Sequence, residues 1–167
     1  MNRICFLDID GVLNSRFWND SHRREISEGK YIDTDKVKLL GALIHDTGAR
    51  LVLHSGWRFW FDDRLNPLRE ESSMLTMLLA EENMTIYDMT PDLTTEEIRA
   101  SKKFSLVKAA EILSWLEMHP DTDAWVVLDD LDLHNKVIES HQIKTDADVG
   151  LTMKDVRAAG RILCGGV

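Results

Sequence analysis

At 167 residues the chain has the length of one domain and enough material to bury a core without a disulfide or metal staple. Apolar residues make up 44% and charged residues 29%, ordinary proportions for a globular protein. The formal charge of −9 argues against a dedicated binder of nucleic-acid backbone, and two cysteines, Cys5 and Cys164, with no CxxC pattern, suggest neither a disulfide framework nor a zinc site.

The N-terminal apolar run is four residues long and ends in acids, unlike a signal peptide, and no run is long enough to span a membrane. A cytoplasmic location is expected. Ile4–Leu7 reads as a buried strand entering Asp8-Ile9-Asp10-Gly11. Residues 14–34 have no steady period and read as a loop or flap. From Asp35 the spacing of Val37, Leu40, Leu43 and Ile44 predicts a helix, capped by Thr34 or Asp33 and stopped at Gly48. Leu51–Leu53 predicts a second buried strand, and residues 64–82 a helix with Leu75, Leu78 and Leu79 on one face. Met84–Tyr87 suggests a short strand, and residues 88–101 give no clear element. Leu106–Met118 predicts a helix and Ala124–Leu128 a third strand ending in acids. A short helix over 134–140 and a strand over 142–144 follow. Thr152 and Asp155 form a capping-box pattern opening a last helix to about Leu163. No repeat or linker divides the chain.

Strands alternating with helices imply an α/β fold: a Rossmann-like three-layer sandwich with a mainly parallel sheet. Ligands of such sheets bind beyond the carboxyl ends of the strands. Three strands end in polar residues there: Asp8 and Asp10, Ser55, and Asp129 and Asp130. Asp8 and Asp10 stand two apart and share one face. Packing carboxylates together is costly unless a cation lies between them, and a hard cation such as Mg²⁺ suits oxygen ligands. A solvated acidic turn is the plainer alternative. Gly11 permits a close turn at this point.

The order Asp8-Ile-Asp10-Gly-Val-Leu, then a strand ending in Ser55, then a lysine, then Val-Val-Leu-Asp129-Asp130 resembles the haloacid dehalogenase (HAD) superfamily. It is most similar to the small HAD domains of Swiss Army Knife RNA repair proteins, through residues 53–58, 108–116 and 144–152. The resemblance implies a phosphatase with Mg²⁺ as cofactor. Asp8 would be the nucleophile and Asp10 the acid and base. Metal ligands would come from Asp8, the Asp10 main-chain carbonyl, and Asp129 or Asp130, with Asp130 favoured as the direct ligand. Ser55 would bind a phosphoryl oxygen, with Gly11 and Gly56 beside it. A lysine would hold Asp8 and the phosphoryl group. Spacing to Glu111-Ile112 and Trp115-Leu116 favours Lys108 over Lys102 and Lys103.

Residues 14–34 as a flap and 56–104 as a small insertion are too short for a full cap domain, so an open site is expected. Trp18, His22, Arg23 and Arg24 in the flap and Trp57, Arg58 and Trp60 after Ser55 lie close to the expected mouth; tryptophan can stack on a base and arginine can pair with a phosphate, which would suit a nucleotide or nucleic-acid end. The plainer alternative pairs Arg58 with a nearby acid and uses Trp57 and Trp60 to anchor the loop. The expected partner is a phosphorylated substrate, with no membrane and no extended nucleic-acid backbone. Alternatives are a phosphoprotein or small-metabolite phosphatase, a phosphotransferase, or a non-catalytic Mg²⁺- and phosphate-binding module. The acidity is uneven: residues 62–98 carry ten acids against Arg64 and Arg69.

Overall fold

A computed structural model of the protein describes residues 1–165. Its elements are β1 (Arg3–Leu7), α1 (Arg16–Ser21), α2 (Arg23–Ser27), α3 (Thr34–Thr47), β2 (Arg50–Leu53), a 3₁₀ turn (Gly56–Trp60), α4 (Glu70–Glu81), β3 (Ile86–Met89), α5 (Glu96–Ser101), α6 (Phe104–Met118), β4 (Ala124–Asp129), α7 (Lys136–Glu139), β5 (Gln142–Lys144) and α8 (Met153–Cys164). The strands form one sheet in the order β3-β2-β1-β4-β5, and every pairing is parallel. The fold is α/β, as expected. No helix among the described residues is long and apolar enough to cross a membrane.

The central strands are apolar between their end residues because both faces of the sheet are covered. Cys5, Leu7, Leu51, Leu53, Val126 and Leu128 face a core completed by α3, α4 and α8. Ile4, Phe6, Val52 and Val127 face the opposite core, completed by Ala109, Ile112 and Trp115 of α6. There Phe6 meets Trp115 edge-on, with ring centres 5.3 Å apart. Burial pushes the Cys5 thiol up to about 12, so it acts as an inert core side chain.

Local chemistry sets the helix limits. Asp33 caps α3, and Gly48, at φ +68°, returns its N–H to Ile44. Thr152 and Asp155 form the reciprocal capping box of α8. The helix expected over 64–82 starts only at Glu70. Asp62 Oδ1 accepts from the N–H groups of Arg64 and Asn66, closing a turn, and Phe61 bridges to Pro67. The third sheet strand starts at Ile86 rather than Met84, because the Met84 N–H closes the end of α4 on Leu79. Residues 14–34 contain two short helices rather than loop alone, and 96–101 form α5 on a Thr95 cap.

The strand ends are level. Leu7 is opposite both Leu53 and Leu128, so the chain leaves β1, β2 and β4 at one edge. The segment after β5 folds back over the loop after β1. Thr145 Oγ1 donates to the Gly11 carbonyl at 2.7 Å, and the Leu151 N–H donates to Val12 at 2.9 Å. Gly150 stands in this clasp at φ +77°, where a Cβ would lie 3.0 Å from the Val12 oxygen and 3.1 Å from that of Asn14. Gly150→Ala is therefore expected to cost about 1–3 kcal/mol, read as a lower urea midpoint; an unchanged midpoint would show that the clasp yields freely.

Candidate active site

The level ends of β1 and β4 put Asp8 beside Asp129 and Asp130. One carboxylate oxygen from each lies within 4.8 Å of the others. Asp8 is 5% exposed and Asp129 fully buried, so water screens their repulsion poorly. α6 brings Lys108 to them. Its Nζ donates to Asp129 Oδ2 at 2.8 Å and stands 3.5 Å from Asp8 Oδ2. Lys102 and Lys103 lie on the exposed junction between α5 and α6.

Asp129 is fixed on both oxygens. Oδ2 also accepts from His54 Nε2 at 2.8 Å, and Oδ1 accepts from the Leu131 N–H at 2.9 Å. His54 is fully buried, and its Nδ1 has no partner. Burial holds the imidazole below its ordinary pKa, with the nearby Lys108 adding to the effect. The neutral ring with its proton on Nε2 fits this geometry.

The electrostatics divide the three acids. Burial raises the Asp8 carboxyl well above its usual range, and Asp129 raises it further, against the pull of Lys108. Burial works the same way on Asp129, but His54 and Lys108 outweigh it and hold that carboxyl far below the usual range. Asp130 is raised by burial and by the charge of Asp129. Burial opposes the Lys108 ammonium, yet Asp8 and Asp129 prevail and keep its pKa above the ordinary value. Asp130 rests against Gly11. At φ +81°, a Cβ there would lie 2.5 Å from the Asp130 carboxyl carbon. Three carboxylates facing one ammonium are a donor set short of positive charge, and all the donors are hard oxygens. The three acids form a donor set that fits a hard divalent cation such as Mg²⁺.

Asp10 is exposed, and its carboxylate lies outside this cluster. Asn14 Nδ2 donates to its Oδ1 at 2.8 Å and Trp57 Nε1 to its Oδ2 at 3.2 Å. Asn14 also accepts from the Gly11 N–H at 3.0 Å, locking the turn. Ser55 is buried at the end of β2, and its Oγ accepts from the Trp57 N–H, capping the 3₁₀ turn that starts at Gly56. That leaves the Ser55 hydroxyl proton free to donate.

The remaining candidates contact other parts of the chain. Arg58 is turned inward to Glu111, at 2.5 Å, with both side chains buried. The structure thus gives this guanidinium to an internal acid rather than to a substrate. Arg23 and Arg24 are exposed on α2, near Asp20 and paired with Glu28 respectively. Trp18 stacks on His22 with ring centres 4.6 Å apart. His54 and Asn14 are site residues that the sequence reading omits, and Trp57, a stacking or loop-anchoring candidate there, holds Asp10 instead. The only signal for His54 and Asn14 is position, next to Ser55 and a helical turn after Asp10.

The raised Asp8 carboxyl has a consequence for stability. The fold favours its protonated form, so this group lowers stability as pH rises from its unfolded pKa through its folded one. In metal-free protein at neutral pH, Asp8→Asn is expected to raise Tm. Added Mg²⁺ should raise the wild-type Tm increasingly as pH climbs through the same interval, and the variant's Tm less. Calorimetry with chelator and with Mg²⁺ checks both; a lower metal-free Tm in Asp8→Asn would refute the account.

Comparison with known proteins adds one match. Residues 4–156 fit the family model described as the HAD domain in Swiss Army Knife RNA repair proteins. No curated protein and no solved structure matches. The matched span takes in all five strands but for Arg3, together with the residues gathered at the sheet edge, and the chain belongs to the family of HAD domains found in Swiss Army Knife RNA repair proteins.

Proposed function

We propose that the protein is a Mg²⁺-dependent phosphomonoester hydrolase that works through an aspartyl-phosphate on Asp8. The family supports a HAD-type hydrolase. The observation that carries the finer reading is Lys108 Nζ standing between Asp8 and Asp129. A buried carboxylate is costly to ionise; a fixed ammonium beside it keeps a share of the anion available for attack. The family's setting in RNA repair supports a nucleotide or a nucleic-acid end as the carrier of the phosphate. We read the chain as one domain with a minimal cap, residues 14–34 forming a flap and 56–104 a small insertion. Free thiols at Cys5 and Cys164 suit a cytoplasmic setting.

In this mechanism an Asp8 oxygen attacks phosphorus. The new O–P bond forms as the bond to the leaving oxygen breaks. Asp10, held by Asn14 and Trp57, gives its proton to the leaving oxygen. It then takes a proton from the water that attacks the phosphoryl group and frees Asp8. Lys108 and the Ser55 hydroxyl hold phosphoryl oxygens and balance their charge. Mg²⁺, when bound at Asp8 and Asp130, neutralises the remaining charge on the phosphoryl oxygens.

Turnover of p-nitrophenyl phosphate is expected with Mg²⁺ and lost on chelation. Asp8→Asn should abolish it, and Lys108→Ala should lower kcat by roughly 10²–10³-fold. Undiminished activity in Asp8→Asn, or without divalent metal, would sink the mechanism. Asp10→Asn should hurt alkyl phosphates more than p-nitrophenyl phosphate, because a good leaving group needs little protonation. An equal loss on both would remove Asp10 from the acid's role.

A further inference from the structure

The mechanism leaves unexplained what lies on the far side of Asp10. Asp10 stands in the wall of two cavities: one of about 400 Å³ shares Gly11 and Asp130 with the acid cluster, and the other, of about 280 Å³, contains none of the three clustered acids. Three aromatic side chains line the smaller one: Tyr31 from the segment before α3, and Trp57 and Trp60 from the 3₁₀ turn. The two indoles lie 5.0 Å apart, tilted by 48°. The Arg69 guanidinium sits 5.2 Å from the Trp60 ring centre and steadies it. Asn19 and Glu71 add an amide and a carboxylate to the wall.

Three features fix what such a cavity can hold. Asp10 donates to the leaving oxygen, so whatever the phosphate was attached to lies on Asp10's side. The aromatic walls favour a flat ring, since bases stack on indole and phenol faces. The charged side chains in the wall, Asp10 and Glu71, are acids, and no basic residue lines it. The wall offers a second phosphate no partner, so a chain's next phosphate would stay outside the cavity, whereas ring amino and imino groups could donate to Glu71.

We propose that this cavity is the leaving-group site and that it takes the base and sugar of a nucleoside, with Trp60 as the stacking platform. The proposal rests on the phosphomonoesterase reading for its orientation. It makes Trp57 a shared element, with its indole N–H on the acid Asp10 and its ring in the wall beside Trp60. The nucleoside belongs either to a free mononucleotide or to the phosphorylated end of a chain, and the two sources present the same ring to the cavity.

The test uses the full chain with Mg²⁺. Adenosine and uridine are titrated against tryptophan fluorescence. Turnover is measured on nucleoside 3′- and 5′-monophosphates, an end-phosphorylated oligonucleotide and glycerol 2-phosphate. Nucleosides are expected to quench the wild type, and Trp60→Ala should weaken that binding roughly 5- to 150-fold, the range for one stacked base. The same variant should lower kcat/KM for a nucleoside phosphate relative to glycerol 2-phosphate by a comparable factor. Trp60→Phe, which keeps an aromatic face, should restore most of both and shows that lost packing is not the cause. A preference for the oligonucleotide identifies chain ends as the source, and a preference for mononucleotides identifies free nucleotides; either supports the assignment. Equal loss on glycerol 2-phosphate and nucleoside phosphates would overturn it, as would nucleosides that neither quench nor compete. If no phosphate ester is turned over, the hydrolase reading fails, and the fluorescence titration still decides the cavity.

Discussion

The structure turns on one constraint: three carboxylates share one ammonium at the edge of a parallel sheet. Two of the acids are almost wholly removed from water, where like charges repel strongly. Much of the neighbouring architecture makes this tolerable. β1 and β4 are adjacent in the middle of the sheet, so the two chain exits are held at fixed separation by a full ladder of hydrogen bonds. α6 packs on one face and delivers Lys108. The opposite face is sealed by α3, α4 and α8 and contributes stiffness rather than chemistry. Asp129, with both oxygens occupied, acts as the rigid member. Asp8 and Asp130 keep the unsatisfied charge that makes the place useful.

The acid Asp10 is separated from this cluster although it lies only two residues from Asp8. The turn at Gly11 lets the chain bend, and Asn14 and Trp57 draw the Asp10 carboxylate outward. Two carboxylates close in sequence thus enter different electrostatic settings. One faces a buried lysine and two acids, and the other is exposed and held by neutral donors.

Much of this was legible before any coordinates. Apolar runs ending in acids or serine mark buried strands, and level strand ends bring Asp8, Ser55 and Asp129 together. Lys108 could be placed by its spacing to Glu111 and Trp115, which lie on the same buried side of α6. What escaped was information that only the tertiary arrangement carries. A histidine closing an apolar strand looks like core until its partner, 75 residues on, is known. For Arg58 the sequence leaves a substrate ligand and an internal ion pair both open, and Glu111 beside it decides for the pair. The late start of α4 escaped too, because the turn closed by Asp62 competes locally with a helical pattern that the leucines carry from Leu75 onward.

The buried pair of Arg58 and Glu111 is a tie between two parts of the site. It joins the 3₁₀ turn that carries Trp57 to the helix that carries Lys108, and Glu111 also accepts from the Leu93 N–H. Such pairs stabilise little in net terms but are costly to halve. Neither residue is free to drift alone. Loss of the arginine strands a carboxylate one helical turn from the lysine, and loss of the acid strands a guanidinium below the serine. Related sequences are therefore expected to change positions 58 and 111 together.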